Sequence, residues 1–354
     1  MQHRDQNEDS RPQRGLERRW KRTAFLLLLN TLCGCALVSC MALDRFRAPQ
    51  GDAFGIRHDR ELHAYEEIAA KQHPERPDFS PVLCLEYSLK AHKRPEFIAT
   101  GVLISDRWVL TAGHNVYDAS EQRRVADAEG IYVLLGNDPN RPQAEIRVVE
   151  VHVHPSWAKG HQELKHANDL CLLKLAQPIK QLRPASLHRA GEERIGSVIW
   201  HAGFGDYSER EGQDPDALSR KHAGQNILDR VQSDLISPYG KRYYPGGLLA
   251  IDFDSPTGMK NSLGDRLIYE EEKILGRGQS EALPLDLEST SVEGDSGGPL
   301  FVLHKGNWEV AGILSAGLTE PLLGHIDGDY GDISVYIRVA DSLDWIDSVM
   351  NKAP

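Results

Sequence analysis

The sequence predicts an all-β protein of antiparallel strands, a sandwich or barrel rather than alternating strand–helix units, ending in one short helix. Three observations carry this. The apolar runs are short and rich in β-branched residues, Gly, Pro, Asp and Asn turns bound them, and their spacing leaves no room for crossover helices. The 354 residues, 26% charged and 40% hydrophobic, suit one large or two small globular domains and argue against disorder.

Taken in order, residues 1–43 read as a signal or anchor segment. TAFLLLLNTLCGCALVSCMAL, residues 23–43, is 21 residues without a formal charge and follows the basic run RRWKR. Uncleaved, that length spans the hydrocarbon, and the basic flank keeps the N-terminus cytoplasmic. Alternatively, Leu37-Val38-Ser39-Cys40 resembles a bacterial lipoprotein signal in which Cys40 becomes the lipidated first residue. Each reading, like a cleaved export signal, puts residue 41 onward outside the cytoplasm, as a periplasmic, cell-envelope or secreted protein. Residues 44–77 are a polar connector or pro-like arm with a helix-like patch, ELHAYEEIAAKQ.

From residue 78 the strands begin: PVLCLEYSL, FIATGVLI, RWVLTA, GIYVLLG, EIRVVEVHVH and DLCLLKL, then GSVIWHAGFG, GGLLAIDFD, PLFVLHKG, WEVAGILSAG and ISVYIRV. Residues 206–282 are turn-rich, with LLAIDFD the one strong strand, and are expected to be surface loops. At the end Leu343, Ile346 and Met350 share a helical face, with Asp341 or Ser342 to cap a helix over about 339–351.

The net charge of −11 hides an asymmetry: residues 1–40 carry seven Arg or Lys against four acids, so the remainder is the more acidic part. That disfavours a nucleic-acid or anionic-lipid surface on the folded part. Of the five cysteines, only Cys84 and Cys171 lie in that part. A disulfide framework is thereby excluded; buried free thiols or a single bridge are the two readings.

The chemistry concentrates in SVEGDSGGPLFV, where Ser296 stands among glycines, next to Asp295. His114 follows the apolar strand of RWVLTAGHNV after an Ala112-Gly113 turn. Asp169 heads the apolar strand of NDLCLLKL, where burial demands a partner for its charge. Serine hydroxyl is a poor nucleophile without a base, and imidazole oriented by a carboxylate supplies one. Singly, His114 has the plain reading of a turn residue and Asp169 that of a strand cap; the set does not.

GVLISDRWVLTAGHNV, HPSW with NDLCLLKL, HAGFG, GDSGGPL, GILSAG and VYIRVADSLDWI resemble, in order and over about residues 80–350, the landmarks of the chymotrypsin/trypsin family of serine peptidases. The resemblance implies two antiparallel Greek-key β-barrels, the first over about 78–180 and the second over about 195–338. It implies an acyl-enzyme mechanism with His114, Asp169 and Ser296 as triad, and Gly294 and Ser296 amides as oxyanion hole. No cofactor or metal is implied, and the partner is a polypeptide substrate. Thr290, Ser315 and Gly317 fall at substrate-pocket positions. Thr290 stands where a trypsin-like pocket needs Asp, so Arg/Lys specificity is not expected and a small or medium neutral side chain is. Ser334 would narrow the same pocket. A catalytically silent peptide-binding protein on the same fold is the rival.

The sequence departs from the family in two places. Asn115 replaces the usual cysteine after the histidine, so packing and hydrogen bonds must hold that loop. The usual activation motif is also missing; either cleavage before Ile56 supplies an ammonium to Asp295, or another donor does. His152, His154, His161 and His166 suggest a metal cluster, but no compact acid or cysteine set accompanies them. Asp252, Asp254 and Asp265 lack EF-hand spacing and read as a solvated face rather than a calcium site.

Overall fold

The computed structural model describes residues 55–87, 97–118, 123–159, 168–207, 218–237, 240–264, 275, 278–318 and 327–352. The N-terminal segment with Cys40 lies outside them, as do His161, His166 and Asp265. Among the described residues no helix is long and apolar enough to cross a membrane.

Helix α1 (Leu62–Ala70) precedes strands β1 (Val82–Tyr87), β2 (Phe97–Ser105) and β3 (Trp108–Thr111). A small hairpin of β4 (Tyr117–Asp118) and β5 (Arg123–Arg124) follows, then β6 (Ile131–Leu135), β7 (Ala144–Val153), helix α2 (Pro155–Lys159) and β8 (Cys171–Leu175). Six strands close into an antiparallel barrel in the order β1-β2-β3-β8-β7-β6. Most of its strands are covered on both faces, which is why their runs are nearly continuously apolar; β7 instead turns Glu145, Arg147 and Val149 to solvent. Leu83, Leu85, Leu103, Val109, Val133 and Leu173 fill the interior, while Val82, Cys84, Leu110 and Leu172 join Trp200, Phe301 and Ile313 of the second half. Each such side chain, fully buried, contributes roughly 1.5–3 kcal/mol.

The second half holds β9 (Val198–Gly203), β10 (His222–Ile227), β11 (Arg230–Ser237), β12 (Gly240–Asp252), β13 (Pro299–His304), β14 (Asn307–Leu318) and β15 (Ile333–Arg338). They form one antiparallel sheet in the order β10-β9-β13-β14-β15-β12-β11. Here a second closed barrel was expected and the sheet is open. Its seam is spanned by the Asn226 amide donating to Asp252 O at 2.8 Å and by Asp229 N–H donating to Ala250 O at 3.0 Å, not by a ladder.

Two further expectations are corrected. Part of 206–282, expected to be surface loop, forms β10 and β11. Their polar inward groups conceal the strand pattern because each finds a partner: His222 bonds Asp295, and Asn226 bonds two carbonyls. Asp252 and Asp254 are not a solvated face but are buried beside Asp229 and Glu288. Backbone amides of Leu263, Asp254 and Leu285 and the Ser280 hydroxyl occupy several of these carboxylate oxygens.

The chain ends in a 3₁₀ turn (Val339–Ser342) and helix α3 (Leu343–Lys352), with Ile346 in the core shared by both halves. Neither expected cap is used: Ser342 Oγ donates to Asn168 Oδ1 at 2.9 Å, and Asp341 pairs with Arg338 at 3.1 Å. The segment read as a connector is packed from Gly55 onward, with Ile56 and Tyr65 buried against Tyr207 and Val292.

Candidate active site

The β3 strand runs out at Thr111, and one 3₁₀ turn, Gly113–Asn115, carries His114 to the junction of the two halves. Asp169 grips this turn twice. His114 N–H donates to Asp169 Oδ1 at 2.7 Å, and the ring Nδ1–H donates to Oδ2 at 2.6 Å. Asn168 makes the approach possible by taking φ 69°, a left-handed conformation that Asn tolerates, with Ser342 holding its side chain. Ser315 donates a third bond, to Asp169 Oδ2 at 2.7 Å, from the point where the register of β14 against β15 slips between Leu314 and Ala316. With the proton on Nδ1, the Nε2 lone pair is free to accept, and the Ser296 hydroxyl lies 2.8 Å from it. The structure thus brings together His114, Asp169 and Ser296. Burial opposes the charged imidazole, the Asp169 carboxylate favours it, and the result is a His114 pKa above the ordinary 6.5.

The serine loop is tied to the first barrel by hydroxyls in otherwise apolar strands. Thr100 Oγ1 donates to Gly294 O at 3.0 Å, Thr100 N–H to Ser296 O at 2.9 Å, and Thr111 Oγ1 to Thr100 O at 2.7 Å. Asn115, standing where the sequence lacks a cysteine, donates from Nδ2 to both Thr111 Oγ1 and Ser296 O at 3.0 Å. At Gly297, φ +86°, an added Cβ would lie 2.1 Å from Thr111 Oγ1 and 2.3 Å from Thr100 O, so any side chain would part the loop from the barrel. Gly294 has φ +100°, and a Cβ there would press on Phe204 O at 3.1 Å. Among the described residues the Gly294 and Ser296 amides donate to no protein acceptor.

Beside the loop, Thr290, Ser291 and Ser334 form a buried hydroxyl cluster: Ser334 Oγ is 2.8 Å from both Thr290 Oγ1 and Ser291 Oγ, and accepts Ser291 N–H at 3.0 Å. Gly317 is exposed, and an added Cβ would find only Ser291 Oγ, 4.0 Å away. Ile56 is fully buried and bridges Ser289 in an uninterrupted chain, while Asp295 is bonded by other groups.

A family model described as Trypsin matches residues 85–231 and 278–346, more than half of the chain and all three of these side chains. The chain belongs to the trypsin family. It is similar to vitamin K-dependent protein C of Oryctolagus cuniculus, 26% identical over 267 residues, which is 70% of this chain and 45% of that protein. It is also similar to the protein of that name from Rattus norvegicus, 27% identical over 256 residues, covering 71% and 46%. The chain thus spans less than half the length of these curated relatives.

Several residues of this trypsin-family site escape sequence reasoning: Thr100, Thr111, Ser291, His222, Tyr207 and the role of Asn115. For Thr100 and Thr111 the available signal was a polar residue inside an apolar strand, which must find a partner once buried; the others stand in turns, loops or the polar strand β10 and gave none. Cys84 and Cys171 are buried free thiols, both pushed up in pKa by burial. Of the histidines weighed for metal, His152 bonds Glu150 at 2.9 Å and His154 meets Trp345 edge to face, so they serve different neighbours. Elsewhere His188, His304 and Glu309 converge, with one ligand atom of each within 4.8 Å of the others. Three of the four ring nitrogens are hydrogen-bonded, and the buried His304 Nε2 has no hydrogen-bond partner among the described residues. Glu309 Oε2 accepts from the Nδ1 atoms of His188 at 2.8 Å and His304 at 3.2 Å, and Glu192 N–H donates to His188 Nε2 at 3.1 Å. The trio clips the connector between the halves to the β13–β14 hairpin.

Proposed function

We propose that this protein is a serine endopeptidase in which Ser296 is the nucleophile, His114 the general base and acid, and Asp169 the group that orients the imidazole. The observation that carries the reading is the unbroken Asp169–His114–Ser296 chain of hydrogen bonds, 2.6 and 2.8 Å long. Ser296 Oγ attacks the peptide carbonyl carbon while its proton passes to His114 Nε2. The Gly294 and Ser296 amides, unengaged among the described residues, receive the developing oxyanion; one such donor is worth about 3 kcal/mol in the transition state. His114 then gives the proton to the leaving amine, and water repeats the sequence on the acyl-enzyme.

Substrate backbone adds along β14 at Gly317, as a strand adds to an exposed edge. The side chain before the scissile bond meets Ser291 and, beneath it, Thr290 and Ser334: a neutral, hydroxyl-lined floor without the carboxylate that would pair Arg or Lys. A small or medium neutral side chain is the expected preference. The acidic folded part acts outside the cytoplasm, delivered by the apolar segment at residues 23–43, either anchored in the membrane, lipidated at Cys40 or released.

A fluorophosphonate probe tests the catalytic reading. Wild-type protein should be labelled and Ser296→Ala should not. Wild-type protein that stays unlabelled, even after limited proteolysis, while still capturing peptides would favour the silent binding protein.

A further inference from the structure

Asp295, the neighbour of Ser296, is a buried carboxylate that is fully bonded in the intact chain. Its Oδ1 accepts Gly205 N–H at 2.8 Å and faces His222 Nε2 at 3.1 Å; its Oδ2 accepts Val292 N–H at 3.0 Å and lies 3.0 Å from the Tyr207 hydroxyl. Burial acts to raise this carboxyl's pKa, but His222 and the Val292 amide outweigh it and hold it below the ordinary carboxylate range. Both nitrogens of His222 face acceptors, Asp295 on one side and Arg220 O at 3.3 Å on the other. Each ring nitrogen thus has an acceptor within reach, and the ring packs tilted against Tyr207 with centroids 3.7 Å apart.

The loop geometry depends on this carboxylate. Asp295 N–H donates to Val292 O at 3.1 Å and Gly298 N–H to Asp295 O at 2.7 Å, so the 292–298 turn is wound around it. A buried carboxylate stripped of its side-chain donors would have to reach water or take up a proton, and the turn carrying the Gly294 and Ser296 amides would move with it. On the other side of the turn, the uncut Gly55–Arg57 segment is already locked. Gly55 N–H donates to Gly328 O at 2.7 Å, Thr290 N–H to Gly55 O at 2.9 Å, and Tyr65, packed with Ile56, donates to Glu288 O at 2.9 Å.

We propose that His222 is the positioning residue that holds the Asp295 turn in its working geometry in the intact chain, so that acylation of Ser296 needs no cleavage before Ile56. The inference rests on the peptidase reading above and assigns to a side chain of β10 the task that a freed N-terminus would otherwise perform.

The test uses the full chain, with the Gly55–Ile56 bond verified intact by mass spectrometry, and follows the fluorophosphonate labelling rate and hydrolysis of a p-nitrophenyl ester. Intact wild type should react. His222→Leu, of similar bulk without a donor, should lose about 100-fold in labelling rate and kcat, with KM little changed and circular dichroism preserved. His222→Gln, which keeps a donor, should recover activity to within a few-fold of wild type. Should the Leu variant fail to fold, the Gln variant and Tyr207→Phe decide: the inference requires the first to stay active and the second to lose part of its rate. Activity that appears only after cleavage before Ile56, or a folded His222→Leu as fast as wild type, overturns the inference and leaves the peptidase reading standing. Wild type and Ser296→Ala equally inert, cut or uncut, removes both.

Discussion

His114 sits where two opposed influences meet. Burial disfavours its cation, the Asp169 carboxylate favours it, and the carboxylate prevails, so the folded pKa lies above 6.5. The proposed base must be neutral to take the serine proton. The sign is therefore fixed: kcat/KM should fall as pH drops, with a midpoint above that of an ordinary histidine, and a pH–rate profile on an ester substrate reads it directly. Asp169→Asn removes the raising charge and the tautomer control together. It should lower kcat on the order of 10⁴-fold and move the acid limb to lower pH. A profile whose acid limb stays in place would separate Asp169 from His114 in function.

The segments that meet at the site come from separate elements: the turn after β3, the segment leading into β8, the bulge of β14 and the loop before β13. No disulfide joins them among the described residues, where Cys84 and Cys171 are both free. Asn115 does the joining instead, with two bonds at 3.0 Å, one to Thr111 at the end of β3 and one to the serine loop. Asn115→Ala should cost about 1 kcal/mol of stability, measured by urea unfolding, because two hydrogen bonds are lost while Ser296 O keeps the Thr100 amide and Thr111 Oγ1 keeps its bond to Thr100 O. It should also lower kcat more than it raises KM, because the distance from His114 to Ser296 loosens while the hydroxyl floor is untouched. At this scale the apolar strands were legible, since continuous Val, Leu and Ile runs have few alternatives. Strand β10 was not, because HAGQNI is stable as a strand only when Asp295, Asp252 and Ser289 supply partners from elsewhere in the chain.

Across the whole molecule, the second half buries four acids together. Desolvation lifts Asp229 to about 9, Asp254 to about 10 and Glu288 to about 7, raises Asp252 as well, and the neighbouring carboxylates add to the lift on Asp229 and Asp254. The Arg230 guanidinium beside them works the other way on Asp252. These groups keep protons in the fold that the unfolded chain gives up above about pH 4. Their contribution is full below that pH and is lost as pH rises through the folded values. Asp295, with its lowered pKa, contributes in the opposite sense and is lost in acid. Melting temperature should therefore decline from mildly acidic to alkaline pH, most steeply between about 5 and 7, where all of these acids keep a proton that the unfolded chain has lost, and more gently up to about 10 as Glu288, Asp229 and Asp254 ionise in turn. Asp254→Asn removes one of these titrations and should flatten the decline; among the described residues its Oδ1 has no hydrogen-bond partner to lose. A melting curve independent of pH across that window would remove the cluster from the account.

By itself the sequence determined the all-β class, the continuous strands of the first barrel, the terminal helix and the three side chains to watch. Each follows from local chemistry: apolar periodicity, turn residues, and a carboxylate, an imidazole and a hydroxyl placed at strand ends. Only the tertiary structure decided that the second sheet stays open, that Asp252 and Asp254 are buried, that Asn115 does the work of a bond, and that Asp295 is held by His222. All four depend on polar groups meeting across long stretches of chain, and a polar residue looks the same in sequence whether its partner is water or a side chain far away.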